Sequence, residues 1–105
     1  MGETVFLREV GSRISARRKE LCMTQERLAE IMDVSIQMIS NLELGKKAIR
    51  PENLVKLSTA LGVSTDYILK GELADWEVAA FLKKYAALSK EKQALIDRLI
   101  ESWIF

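Results

Sequence analysis

The chain has 105 residues, of which 49% are hydrophobic and 30% charged, and its formal net charge is +1. This length supports one compact domain with a short appendage, and the apolar fraction suffices for a core. One cysteine and no histidine exclude an internal disulfide and the usual metal-ligand clusters, so we expect neither metal nor cofactor. With no apolar run typical of a signal sequence or a membrane span, a cytoplasmic protein without a membrane partner is expected.

The first segment is predicted to be a helix over residues 4–20. Its inward face is defined by apolar residues at helical intervals, namely Leu7, Val10, Ile14 and Leu21. The other faces, which either interact with solvent or approach phosphates, carry Arg8, Arg13, Arg17, Arg18 and Lys19. Cys22 then reverses the chain. We expect a partly buried, inert thiol there rather than a redox sensor, because no histidine is present to activate it.

Residues 24–44 contain two short segments that each begin with a hydroxyl residue followed by helical apolar spacing. Thr24 begins the first segment, whose inward residues are predicted to be Leu28, Ala29, Ile31 and Met32. Ser35 begins the second, with Ile39 and Leu42 inward. Only Asp33 and Val34 remain to connect them, and Asp33 tolerates a left-handed bend. Two short helices joined so tightly predict a helix-turn-helix.

The outer face of the second helix carries no charge between Ser35 and Asn41. The residues expected to face outward are Ile36, Gln37, Met38, Ser40 and Asn41. Carboxamides can pair bidentately with N6 and N7 of adenine, and an aliphatic side chain can pack on a thymine methyl group. An ordinary amphipathic helix would carry Glu and Lys here, so this face is predicted to read DNA bases.

A basic loop follows this helix. Gly45 is suited to a left-handed conformation at its end, and Pro51 to the first turn of the next helix. Between them lie three cations placed to contact the sugar-phosphate backbone, Lys46, Lys47 and Arg50. Further helices are predicted over residues 51–61 and 65–70, which completes an all-α, five-helix domain at residues 1–71.

Residues 72–105 are different in character and contain two more predicted helices, over 75–88 and 89–103. The five-helix domain is already closed without them, so their apolar residues need a partner, and a second copy of the chain is the simplest one. Folding back onto their own bundle is the alternative. The residues expected in the dimer interface are Trp76, Phe81, Leu95, Leu99, Trp103 and Phe105.

Four motifs have a characteristic spacing: Thr24-Gln25-x-x-Leu28-Ala29, Val34-Ser35, Ile39-x-x-Leu42-Glu43-x-Gly45-Lys46 and Leu61-Gly62-Val63. With them, the stretch from Arg17 to Leu69 resembles the Cro and phage-repressor type of helix-turn-helix family, also called XRE-like. The resemblance implies a repressor-like DNA-binding fold and says nothing about residues 72–105. Cys22 and Asp33 depart from it, because the family commonly has glycine at those turns.

The resemblance also implies roles for individual residues. Base contacts would come from Ile36, Gln37, Ser40 and Asn41. Gln25, at the start of the first motif helix, would bind a phosphate through its side chain and the helix N-terminus. Arg18 and Glu43 match a pair that forms a structural ion pair across the motif.

We therefore expect a sequence-specific transcriptional regulator, a repressor, that binds a palindromic operator in double-stranded DNA as a homodimer through the recognition helix at residues 35–43. A protein anti-repressor is a candidate further partner. The alternative, favoured by the near-neutral charge, is a protein-interaction module that docks a partner protein through Ile36, Met38 and the terminal helices. An enzyme is not expected, because the chain has no histidine and its glycines form no phosphate-binding loop.

Overall fold

The computed structural model describes residues 2–104, apart from the side chain of Glu3, and this range contains seven α-helices and no strand. The first five helices are α1 (Gly2–Glu20), α2 (Gln25–Met32), α3 (Ile36–Glu43), α4 (Pro51–Leu61) and α5 (Thr65–Lys70). The last two are α6 (Asp75–Ala86) and α7 (Lys90–Ile104). The predicted fold class is confirmed. No helix in the described range is both long and apolar enough to cross a membrane.

The chain divides into two compact units after Ala74, three residues beyond the boundary expected at residue 71. In the first unit, the starts of α2, α3 and α5 are fixed by the hydroxyl groups of Thr24, Ser35 and Ser64. Each hydroxyl accepts a hydrogen bond of 3.0 Å from the backbone N–H three residues later. These contacts satisfy N–H groups that have no partner inside the helix, so short-range sequence signals set where the helices begin.

The core of the first unit is formed by residues from all five helices and from the turn before α5. Its buried apolar residues are Val10, Ile14, Leu28, Ala29, Met32, Ile39, Leu42, Leu57, Leu61, Val63 and Ile68. Two residues expected inward are exposed, since Leu21 has an exposed fraction of 39% and Ile31 of 44%. Leu21 follows the end of α1, and Ile31 lies beside the narrow stripe that an eight-residue helix presents to the core.

Two turns contain a residue other than glycine in a left-handed conformation. Asp33 has φ 55°, as its place in the bend predicts, and Cys22 has φ 56°. The Cys22 side chain is exposed, so the expected partial burial of this thiol is wrong. The turn leaves Cys22 outside the core, and the next residue, Met23, packs against the core instead.

Gly11 marks a close approach between α1 and the end of α3. A Cβ atom at Gly11 would overlap the carbonyl oxygens of Leu42 and Glu43. The missing side chain therefore allows α1 to pack directly on the backbone of the last turn of α3. This contact joins residues far apart in the chain, and the sequence alone did not single it out.

Replacing Gly11 by alanine is expected to lower the free energy of unfolding by about 1–3 kcal/mol, because the overlap outweighs a helix preference for alanine of about 1 kcal/mol. Urea unfolding followed by circular dichroism measures the change. Gly2→Ala is the control, because an added Cβ there meets nothing within 4 Å. A Gly11→Ala variant as stable as the parent chain would contradict the close packing.

Candidate functional site

The outer face of α3 carries the four residues predicted to contact bases. Ile36 is 49% exposed, Gln37 is also exposed, and Ser40 and Asn41 are half-buried. Their spacing of one, four and five residues places all four on one side of the helix. Nε2 of Gln37 donates a hydrogen bond of 3.1 Å to Oδ1 of Asn41, one turn further along. The helix therefore presents an uncharged face with two linked carboxamides.

Met38 does not belong to that face, contrary to the sequence prediction. It is half-buried and packs against the core, and its sulfur accepts a hydrogen bond of 3.5 Å from Nδ2 of the buried Asn53. The reason is its position four residues before Leu42, which places it on the inner side of α3. The outer face is consequently less apolar than predicted, and the protein-docking alternative loses one of its named residues.

The basic loop borders this face. Lys46, Lys47 and Arg50 are all exposed, and Asn41 lines a shallow hollow of 260 Å³ together with Lys47 and Arg50. Nε of Arg50 lies 3.5 Å from a carboxylate oxygen of Glu52, an exposed pair that costs little to separate. Gly45 begins the loop with φ 70°. The structure thus brings the predicted base-contact and phosphate-contact groups to adjoining positions.

Two arginines of α1 bind carbonyl groups at helix ends. Arg13 donates to the carbonyl oxygens of Ile68 and Leu69, each over 2.9 Å, at the end of α5. Arg17 donates to the carbonyl oxygen of Leu61, also over 2.9 Å, at the end of α4. The last carbonyl groups of a helix lack partners within it and carry partial negative charge. In the fold, these two arginines therefore stabilise helix ends. This role differs from both roles considered from the sequence, solvation and phosphate contact.

Arg18 and Glu43 form a bidentate ion pair between α1 and the end of α3. Nε of Arg18 lies 2.7 Å from Oε2 of Glu43, and Nη2 donates to Oε1 over 2.9 Å. The two side chains are only 10% and 5% exposed. Arg18 also donates to the carbonyl oxygen of Met23, and Nε2 of Gln25 donates to Oε1 of Glu43 over 3.0 Å. This network ties α1, α2 and α3 together and engages the side chain of Gln25, whose phosphate contact stays a prediction.

The network also sets the protonation of Glu43. Burial by itself raises the pKa of this carboxyl group, but the hydrogen bonds from Arg18 and Gln25 and the positive charge of Arg18 outweigh burial and hold the pKa below its ordinary value. A carboxyl group with a lowered pKa stabilises the fold while it is ionised. That contribution is present above its unfolded pKa of about 4.5 and is lost as the pH falls through the folded pKa.

Glu43→Gln is expected to lower the free energy of unfolding at pH 7 by about 3 kcal/mol or more, because it leaves the Arg18 charge buried without its partner. The difference from the parent chain should shrink as the pH falls below the usual carboxyl range, since the parent then loses the same charge. Urea unfolding at pH 7 and at low pH measures both values.

The control for this prediction is Glu30→Gln. Glu30 pairs with Arg27 over 3.3 Å, but its side chain is 70% exposed, so the change should be small at either pH. A stability difference for Glu43→Gln that does not vary with pH would contradict the role assigned to the ion pair.

The second unit is a hairpin of α6 and α7. Tyr85 donates from its hydroxyl to Oδ1 of Asp97 over 2.8 Å, and Nε2 of Gln93 donates to the carbonyl oxygen of Tyr85 over 2.9 Å. None of the described residues in either helix is buried. The apolar residues expected in a dimer interface are more than half exposed: Trp76, Phe81, Leu95, Leu99 and Trp103. Phe105, the sixth, lies outside the described residues.

An apolar cavity of 270 Å³ lies within this hairpin, lined by Phe81, Ile96, Leu99, Ile100 and Trp103. Phe81, Leu99 and Trp103 are both exposed and part of the cavity wall, so they form one apolar surface with it. In the described part of the chain, no group of three or more His, Cys, Asp or Glu residues is arranged to hold a metal ion.

Three comparisons with known proteins agree on the same family. Residues 14–68 match the family model described as Helix-turn-helix. The chain is 44% identical over 70 residues to repressor protein C2 of Salmonella phage P22, which covers 67% of this chain but only 32% of that protein. It is 30% identical over 98 residues to the cryptic phage CTXphi transcriptional repressor RstR of Vibrio cholerae serotype O1, covering 91% of this chain and 88% of that protein. The chain thus spans about a third of the phage P22 protein and most of RstR.

A solved structure shares the fold of the first unit. The crystal structure of the P22 c2 repressor protein in complex with synthetic operator 9T matches with a TM-score of 0.58 at 44% identity, over 60% of this chain and 96% of that one.

Proposed function

The chain belongs to the helix-turn-helix family of DNA-binding transcriptional regulators, and we propose that two copies of it bind a palindromic operator and repress transcription there. The resemblance to the Cro and phage-repressor type is confirmed by the family match, and the chain is a regulator rather than an enzyme. The uncharged outer face of α3, bordered by the basic loop, carries the proposal of sequence-specific binding.

In this proposal α3 enters the major groove of DNA. Ile36 packs on a thymine methyl group, Gln37 and Asn41 address base edges, and Ser40 can donate to or accept from either kind of base. The loop cations Lys46, Lys47 and Arg50 meet the sugar-phosphate backbone and fix the register without reading sequence. Gln25, the first residue of α2, contacts a further phosphate at the N-terminus of that helix.

A twofold-related pair of chains places two copies of α3 in successive major grooves, about 34 Å apart on one face of the duplex. The operator then repeats the symmetry of the protein, which is why a palindrome is proposed. Holding two domains at this spacing requires a stable contact between the chains.

The hairpin of α6 and α7 supports self-association through its charge distribution. The turn half, which is the end of α6 and the start of α7, carries four lysines and one glutamate: Lys83, Lys84, Lys90, Lys92 and Glu91. The open half, which is the start of α6 and the later part of α7, carries four carboxylates and one arginine: Asp75, Glu77, Asp97, Glu101 and Arg98. A second hairpin packed antiparallel on the apolar surface would bring the basic half of each copy beside the acidic half of the other. The same arrangement would cover the apolar cavity, so a second copy matches this surface in both charge and polarity.

Base and phosphate contacts predict different responses to mutation. Gln37→Ala is expected to cost about 1–3 kcal/mol on the preferred operator and to relax the preference at one base pair. Lys46→Ala is expected to weaken binding to all duplexes alike and to reduce the slope of log affinity against log salt by about one unit. Selection from randomised duplexes at low salt, followed by titrations at several salt concentrations, measures both effects. A parent chain that prefers no palindromic sequence over random duplex would contradict the proposal.

The proposed dimer is tested by a charge on its apolar surface. Leu99→Asp is expected to raise the dimer dissociation constant by about 100-fold or more, because burying an unpaired carboxylate in an apolar contact costs at least about 3 kcal/mol. Analytical ultracentrifugation over a concentration series measures the constant. Ala94→Asp adds the same charge on the opposite face of α7 and should leave the constant nearly unchanged. A monomeric parent chain would contradict the homodimer and favour a different protein as the partner of this surface.

A further inference from the structure

The hydrogen bond between Gln37 and Asn41 links the two predicted base readers. Nε2 of Gln37 donates to Oδ1 of Asn41 over 3.1 Å. Gln37 is exposed, whereas Asn41 is half-buried and lines the hollow beside Lys47 and Arg50. A long side chain with three rotatable bonds is therefore held by a shorter one that is half-buried.

This bond leaves the two carboxamides with different hydrogen-bonding groups. Gln37 retains its oxygen as an acceptor and one further N–H as a donor, the combination that pairs with N6 and N7 of adenine. The oxygen of Asn41 uses one of its two lone pairs to accept from Gln37, which orients this oxygen toward Gln37 and leaves both N–H groups of Nδ2 as donors. A carboxamide whose oxygen is already oriented toward a neighbouring side chain is less suited to a bidentate contact with adenine than one that is free to turn.

We propose that Gln37 and Asn41 act as one reading unit, which presupposes the proposed DNA binding: Gln37 contacts the adenine of an A·T pair, and Asn41 is a positioning residue that fixes the Gln37 carboxamide. Binding a flexible side chain in one orientation costs conformational entropy. The hydrogen bond within α3 restricts Gln37 in the free protein, so less conformational entropy is lost when the complex forms. The preference for adenine at one position therefore depends on both residues.

The experiment uses the full chain and its own preferred operator. Selection from randomised duplexes identifies the operator, and affinities are then measured for all four bases at each position with the parent chain, Gln37→Ala, Asn41→Leu, Asn41→Asp and the double variant Gln37→Ala/Asn41→Leu. Leucine has about the size of asparagine but accepts no hydrogen bond, whereas aspartate keeps an acceptor for Gln37. Because specificity is a ratio of affinities within one preparation, a partly unfolded variant does not distort it.

Gln37→Ala is expected to reduce the preference for adenine at one position about tenfold or more. Asn41→Leu should relax the same position severalfold, and the double variant should be no less specific there than Gln37→Ala alone. Asn41→Asp should keep the preference at that position while weakening binding to every duplex, because its charge is repelled by phosphates.

Two outcomes overturn the reading unit and are distinguishable. A parent chain that selects no operator removes the proposed function and the reading unit together. A parent chain that selects an operator, with Asn41→Leu relaxing a different position or multiplying the effect of Gln37→Ala, leaves the proposed function intact and makes Asn41 an independent reader.

Discussion

The orientation of α3 depends on one ion pair that is almost excluded from water. Arg18 reaches both carboxylate oxygens of Glu43, and the same two residues engage the carbonyl oxygen of Met23 and the amide of Gln25. Such a pair adds little net stability compared with apolar packing, but its geometry is strongly directional. Removing one partner leaves the other charge buried and unpaired. Together with the close approach at Gly11, it fixes the last turn of α3 against α1. The position of the outer face of α3, which carries the predicted base-contact residues, follows from these two contacts.

A chain of net charge +1 presents its basic edge through the loop after α3 and not through three arginines of α1. Arg13, Arg17 and Arg18 all bind carbonyl or carboxylate oxygens of their own chain. Their charges stabilise helix ends and the ion pair rather than a distant phosphate. The exposed cations beside α3 are instead concentrated in the loop that follows it, so net charge is a poor guide to where the electrostatic contacts lie.

Local signals made the helices predictable from sequence, because hydroxyl residues and glycines act on backbone groups within a few positions of themselves. The outward position of the residues predicted to contact bases also followed from helical spacing, apart from Met38, whose packing against Asn53 depends on α4. Periodicity defines the centre of a buried stripe better than its edges, and Ile31 and Leu21 lie at or beyond such edges. The contacts of Arg13 and Arg17 join residues 55 and 44 positions apart and leave no local trace in the sequence.

The two units of the chain differ in what stabilises them, and this difference bears on regulation. The first unit has a buried apolar core and a buried ion pair, and both fix the position of α3 through contacts within the same chain. The described residues of the second unit include no buried side chain, so this hairpin has little apolar burial of its own to stabilise it. In the proposed dimer, the outer face of the second α3 would bind DNA at the high effective concentration set by the first. Operator occupancy would then rise steeply with protein concentration, because dimer formation and DNA binding favour each other.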